Sequence, residues 1–134
     1  KKIIHMHGTL DKAYCMNCFN KINLDFDLSI NYQCEKCKKK GDVRVDVVWF
    51  GEQPKNLDLI YKYLERTDIF ISIGTSNNVY PAAGFIDFIC NQQRRVELIE
   101  FNIEKTNKSS LFEKSIIGPA SVTIEKFVRE IVGD

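Results

Sequence analysis

Two Cys-x-x-Cys pairs, Cys15-Met-Asn-Cys18 and Cys34-Glu-Lys-Cys37, stand fifteen residues apart, and no other feature restricts the fold of this chain as much. The spacing lies in the window of a zinc ribbon, where two knuckles close four thiolates around one metal ion. Four sulfurs complete a tetrahedral shell and leave no position for water, so a zinc ion (Zn2+) held by Cys15, Cys18, Cys34 and Cys37 is structural rather than catalytic. The competing reading, two redox-active Cys-x-x-Cys motifs, is weaker. Residues 1–46 carry few long apolar runs, and a segment without its own core needs a metal in place of one. The fifth cysteine, Cys90, makes the count odd, which argues against a disulfide framework and for reduced thiols. Cys90 shares an apolar helical stripe with Phe85, Ile86 and Ile89 and is expected to be a buried core thiol.

Composition changes near residue 46. Residues 1–46 hold nine Lys/Arg and six Asp/Glu, whereas residues 47–134 hold ten and twelve and alternate short apolar runs with helix-period segments. Strands are expected at Asp46–Phe50, Asp68–Ile73 and Val96–Phe101. Between them, Leu57, Ile60, Tyr61 and Leu64 recur at helical spacing, as do Ala82, Phe85, Ile86, Ile89 and Cys90. A last amphipathic helix follows Gly118-Pro119, with Ile124, Phe127, Val128 and Ile131 on one stripe. The order β-α-β-α-β predicts an α/β fold: a Rossmann-like parallel sheet, covered on both faces, beside a small zinc-ribbon module. The chain opens with Lys-Lys-Ile-Ile-His-Met-His-Gly and contains no Gly-x-Gly-x-x-Gly turn. The sheet is therefore expected to be incomplete, with its N-terminal half absent.

Charge and hydropathy exclude several functions. Nineteen basic and eighteen acidic side chains leave a net charge of +1, so no global field recruits nucleic acid or anionic lipid, and direct nucleic-acid binding is not expected. The run Lys38-Lys39-Lys40, with Lys36, has a local explanation beside four thiolates. The apolar runs fall short of the roughly 20 residues of a bilayer span, and the first residues show no signal-type apolar run. A soluble, cytoplasmic protein is the expectation.

Several short motifs then fall into one order. His7-Gly8 precedes the two knuckles; Val47-Val48-Trp49-Phe50-Gly51-Glu52, Gly74-Thr75-Ser76-Asn77, Asn102-Ile103-Glu104 and Gly118-Pro119-Ala120 follow. Together they resemble the sirtuins, the NAD-dependent protein lysine deacylases. Ile4–Gly8, Val47–Glu52 and Val79–Phe85 are most similar to the bacterial branch and the related class III enzymes. The resemblance covers almost the whole chain but corresponds to the C-terminal part of such an enzyme. The family's GAGxSxxSGIPxFR cofactor loop and TQNxD motif should lie upstream, and that upstream half of the same protein would be required for the NAD site.

Read by themselves, Ile3, His5 and His7 share one side of an extended segment, and either histidine suits a structural role. The resemblance implies that His7 is the catalytic base and leaves His5 structural. In such enzymes the acyl oxygen of a modified lysine attacks the ribose carbon of NAD as nicotinamide leaves. The histidine then deprotonates a ribose hydroxyl, a step that suits an imidazole, whose ordinary pKa of about 6.5 lies near working pH.

Val47–Glu52 alone reads as a buried strand ending at a glycine. The resemblance implies that Val48, Trp49, Phe50, Gly51 and Glu52 bind substrate, lending backbone to an extended peptide by β-augmentation, with Trp49 and Phe50 near the acyl-lysine channel. Gly74, Thr75 and Ser76 follow a strand, where doubly wound sheets bind ligands, although an ordinary strand-to-helix turn explains these three equally well. The resemblance makes them NAD contacts, and it assigns Asn102, Ile103, Glu104 and Ala120 to the adenosine part of the cofactor. Residues 1–46 then form the catalytic-histidine segment and zinc-binding module, and residues 47–134 the C-terminal part of the NAD-binding domain. The partners implied are acyl-lysine proteins carrying acetyl, succinyl or malonyl groups. Two other functions fit the residues: a non-catalytic zinc-ribbon module that binds peptide or nucleic acid, and mono-ADP-ribosyl transfer, which breaks the same cofactor bond.

Overall fold

The computed structural model describes residues 3–133; Lys1, Lys2 and Asp134, which the reading of the chain ends included, lie outside the described residues. The chain forms two compact units, Lys1–Leu57 and Asp58–Asp134. Segment 47–57 is tied to the rest of the first unit by backbone hydrogen bonds and an ion pair. The Val48 amide donates to the His7 carbonyl (2.9 Å), the Lys55 amide donates to the Met6 carbonyl (2.8 Å), and the Lys55 ammonium pairs with Asp46.

The first unit is an antiparallel sheet of order β2-β1-β3, built from β1 (Gly8–Cys15), β2 (Lys21–Asn23) and β3 (Val43–Val47). The strand expected at Asp46–Phe50 is thus displaced to Val43–Val47 and leaves the parallel sheet altogether: it pairs antiparallel with β1, with Tyr14 opposite Arg44 and Cys15 opposite Val43. The apolar run alone carried no information about its partner. The buried apolar residues of this unit, among those described, are Ala13, Cys15 and Cys34. Two of the three are proposed metal ligands, as expected of a segment too poor in apolar residues to build a core.

The second unit carries a parallel sheet of order β4-β5-β6, from β4 (Ile69–Ile73), β5 (Glu97–Asn102) and β6 (Lys114–Ile117). The helices are α1 (Leu57–Leu64), α2 (Ala83–Cys90) and α3 (Ala120–Val132). Strand β6 was not anticipated; its four residues, Lys-Ser-Ile-Ile, are too short for a clear period. β5 is the centre of the core, with Leu98 to Phe101 all buried. Phe85, Ile86 and Ile89 of α2 join it, Tyr61 of α1 meets Phe85 and Phe88 edge-on, and Phe127 of α3 meets Phe101 at 5.2 Å. Two expectations fail. The sheet is not covered on both faces, since Ile69, Ile71 and Ile73 on one side of β4 are 55%, 42% and 50% exposed. Cys90, the last residue of α2, is exposed rather than buried, having rotated off the stripe that Phe85, Ile86 and Ile89 present inward. Among the described residues, no helix is long and apolar enough to cross a membrane.

Candidate functional site

The two knuckles have the same backbone construction. The amide of Phe19 donates to the Cys15 carbonyl and that of Lys38 to the Cys34 carbonyl, both at 2.8 Å, and Phe19 and Lys38 both adopt positive φ (56° and 62°). Each turn lifts its two sulfurs toward the other pair. All four Sγ atoms lie within 4.8 Å of one another, with Cys15–Cys37 and Cys18–Cys34 each 3.6 Å apart. A regular tetrahedron with zinc–sulfur bonds near 2.3 Å has edges of roughly 3.8 Å. The sulfurs are too far apart for disulfides, at about 2.05 Å, and their spacing suits one zinc ion.

Crowded thiols do not ionise together unaided. The Lys39 backbone amide, then the Asn17 side chain, hold Cys37 down to about 6. Cys18 is pushed up to about 11 although the Asn20 amide favours its thiolate, because desolvation and the neighbouring sulfurs oppose the charge. A divalent cation removes that opposition. The lysine run enters the site through its backbone, for the Lys39 ammonium points to Asp42 at 3.9 Å.

The His7 turn is held from three sides. The Gly8 amide donates to the His5 carbonyl (3.0 Å), the His7 carbonyl accepts from Val48, and Gly8 passes so close to β3 that a Cβ there would lie 1.8 Å from the Asp46 carbonyl oxygen. Residues 3, 5 and 7 are exposed while 4 and 6 are half-buried, as alternation predicts, but the backbone turns at Met6–His7 and does not run straight. Both imidazoles are exposed.

After Val48 the chain folds into a second turn. The Glu52 amide donates to the Trp49 carbonyl, and the Glu52 carboxylate accepts from the Trp49 amide, both at 3.0 Å. Gly51 supplies φ +87°, with open space where a Cβ would stand. Phe50 is fully exposed (102%) and Trp49 largely so (65%). Arg44, which sequence reasoning passed over, organises this turn. Its Nη2 donates to the Val47 carbonyl (2.9 Å) and to Glu52 Oε2 (3.1 Å), its Nη1 donates to Glu52 Oε1, and its guanidinium lies 4.7 Å from the centre of the Trp49 ring. Arg44 beside it holds the Glu52 carboxyl below the usual value. Glu52 is therefore engaged within its own turn, whereas Trp49, Phe50 and Gly51 face outward. The signal for Arg44 was the i, i+8 charge pair across the end of a strand, which no short-range pattern marks.

In the second unit the remaining candidates meet at the carboxyl ends of the strands, where open α/β sheets take ligands. The Gly74 amide donates to the Phe101 carbonyl (2.9 Å), the Asn102 side chain donates to the Thr75 carbonyl (2.7 Å), and the Asn102 carbonyl accepts from the Gly118 amide (2.9 Å). Asn102 thus gathers the Gly74–Ser76 turn and the Gly118–Ala120 start of α3 around itself. Ser76, Ile103 and Glu104 are exposed; Thr75 and Ala120 are half-buried. Asn77 is buried, takes φ +55°, and donates to Glu100 at 3.2 Å.

The chain matches the model of the Sir2 family over residues 1–81. The chain belongs to the Sir2 family. It is 41% identical over 132 residues to an NAD-dependent protein deacylase of Bdellovibrio bacteriovorus, covering 98% of this chain and 54% of that one. A deacylase of Leishmania major is 38% identical over 133 residues, again 98% of this chain and 54% of the relative. A solved Sir2 homologue in complex with NAD superposes with a TM-score of 0.87 at 32% identity, covering 98% of this chain and 52% of that one. The chain spans about half the length of the curated relatives it matches. Sir2 membership leaves the α/β architecture and the parallel sheet as expected.

Proposed function

We infer that these residues form the C-terminal part of an NAD-dependent protein lysine deacylase, with His7 as its base. The observation that carries this reading lies within the first unit: the His7 turn and the Val48–Glu52 turn are joined backbone to backbone, so an exposed imidazole and an exposed peptide-binding segment come as one piece. Trp49, Phe50 and Gly51 offer main chain to an acyl-lysine peptide. Glu52 keeps that main chain in shape through Arg44. Cys15, Cys18, Cys34 and Cys37 hold zinc and take no part in the chemistry. Bound NAD would supply an activated ribose carbon and nicotinamide as leaving group; Gly74, Thr75 and Ser76 would contact the cofactor, and Asn102, Ile103, Glu104 and Ala120 would hold its adenosine part. His7 would act as the base, accepting the proton of a ribose hydroxyl of the bound cofactor and so favouring acyl transfer from lysine. The substrates are acetyl-, succinyl- or malonyl-lysine proteins of the cytoplasm, and the NAD site is completed by sequence that precedes these residues.

The test is kinetic and uses the protein of the complete reading frame. His7→Ala should abolish turnover of acetyl and succinyl peptides while NAD and peptide still bind, a loss in kcat and not in affinity. His5→Ala should change kcat little. Near-normal kcat in His7→Ala, or a dead His5→Ala, removes the assignment. Mass spectrometry of the products separates deacylation from ADP-ribosyl transfer to protein.

A further inference from the structure

In the middle of the apolar core, on the central strand β5, sits a carboxylate. Glu100 is fully buried, with 0% of its surface exposed, between Ile99 and Phe101. Such a group is tolerated only when its acceptor sites are filled. Here four donors fill them: Asn77 Nδ2 (3.2 Å) and Thr106 Oγ1 (2.9 Å) at Oε1, and Ser109 Oγ (2.6 Å) and Ser115 Oγ (2.8 Å) at Oε2. A carboxylate offers about four acceptor positions, so the set is complete. All four partners are neutral, and they come from three different segments.

The partners do more than satisfy Glu100. Asn77 directly follows the Gly74–Ser76 turn, and its own amide donates to Thr75 Oγ1 at 3.2 Å. Thr106 and Ser109 belong to the segment after Glu104. The Thr106 amide donates to Ser109 Oγ (2.8 Å) and the Lys108 amide to Thr106 Oγ1 (3.3 Å). Each hydroxyl therefore accepts from the loop backbone and donates its own hydrogen bond to Glu100. The carboxylate is the common end of relays that begin in the backbone of the segment after Glu104. Ser115, opposite Glu100 in the β5–β6 register, anchors the same group from β6.

We propose that Glu100 is a positioning residue for the cofactor site: its bonds to Asn77, Thr106 and Ser109 lock the Gly74–Asn77 turn and the Glu104–Ser109 segment into one rigid cradle. The assignment rests on the cofactor reading above. The carboxylate itself lies in the core, closed off from solvent; its effect passes through Asn77, Thr106 and Ser109. Fully satisfied buried networks of this kind rigidify what they connect.

Glu100→Gln is the discriminating variant, because it keeps the size and shape of the side chain. It turns one acceptor oxygen into a donor, so two of the four donors lose their target. In the complete protein, Glu100→Gln should raise the Kd for ADP-ribose and the KM for NAD about tenfold, with kcat within about twofold and peptide KM unchanged. Thr106→Val, which removes a loop donor, should reproduce the effect, whereas Ser115→Ala, which removes the donor from β6, should leave ADP-ribose binding within about twofold. Hydrogen exchange at the Asn77, Thr106 and Lys108 amides should quicken in Glu100→Gln and Thr106→Val but not in Ser115→Ala. Wild type that binds ADP-ribose, with Glu100→Gln binding equally well or exchanging at the same rate, overturns the assignment alone. Equal losses in Thr106→Val and Ser115→Ala also overturn it, since they would mean that general stability is being read. A wild type that binds no ADP-ribose overturns the cofactor reading and this assignment with it. If Glu100→Gln does not fold, the contrast between Thr106→Val and Ser115→Ala decides.

Discussion

Replacing Gly8 by alanine tests the physical account of the His7 turn. The residue has φ +82°, and the added Cβ would stand 1.8 Å from the Asp46 carbonyl oxygen, whereas ordinary C···O contacts begin near about 3.3 Å. One of the two backbones must therefore retreat by roughly 1.5 Å. Left-handed backbone costs an L-residue about 1–2 kcal/mol, and overpacking adds about 1–3 kcal/mol. Gly8→Ala should thus destabilise the first unit by about 2–5 kcal/mol. Gly51→Ala is the internal control: φ is +87° there, but nothing lies within 4 Å of the new methyl group, so only the strain of about 1–2 kcal/mol remains. Trp49 is the sole tryptophan and belongs to this unit, so urea unfolding followed by its fluorescence reports the first unit directly. Exchange of the Val48 amide, bonded to the His7 carbonyl, should also quicken in Gly8→Ala and not in Gly51→Ala. If the two variants lie within about 0.5 kcal/mol of each other, close approach to β3 is not what holds His7 in place.

Other outcomes follow from the same structure. Metal analysis of protein purified without chelator should find one zinc per chain, and Cys34→Ser should release it and unfold the first unit, since a closed four-sulfur site contributes folding energy. Phe50→Ala should leave the unfolding midpoint unchanged, because its ring is fully exposed, yet weaken acyl-peptide binding; a normal peptide KM would remove Phe50 from the substrate channel. In the 134-residue chain, Ellman's reagent should label Cys90 first and the other four cysteines only after chelation; five equally fast thiols would contradict both the exposure of Cys90 and the metal site.

Local spacing determined a good deal of this protein. Two residues between paired cysteines suffice to form a knuckle, and an apolar residue every third or fourth position suffices for Leu57–Leu64, Ala83–Cys90 and Ala120–Val132, because these patterns are completed within one or two turns of chain. The runs that became β4 and β5 were legible for the same reason. What pairs with what was not. Val43–Val47 is Val-Arg-Val-Asp-Val, an alternation that any half-exposed strand shows, and only its pairing with Gly8–Cys15, earlier in sequence, decides that it completes the cysteine-bearing unit and not the parallel sheet. The exposure of Cys90 depended on how α2 is turned on its axis. Arg44 and Glu100 show the same limit most clearly. Each looks like an ordinary charge in a strand, and each acquires its role from partners outside that strand: Glu52 for the first, and Asn77, Thr106, Ser109 and Ser115 for the second. A polar group at the hub of several loops satisfies its hydrogen bonds in three dimensions, and no one-dimensional period records that.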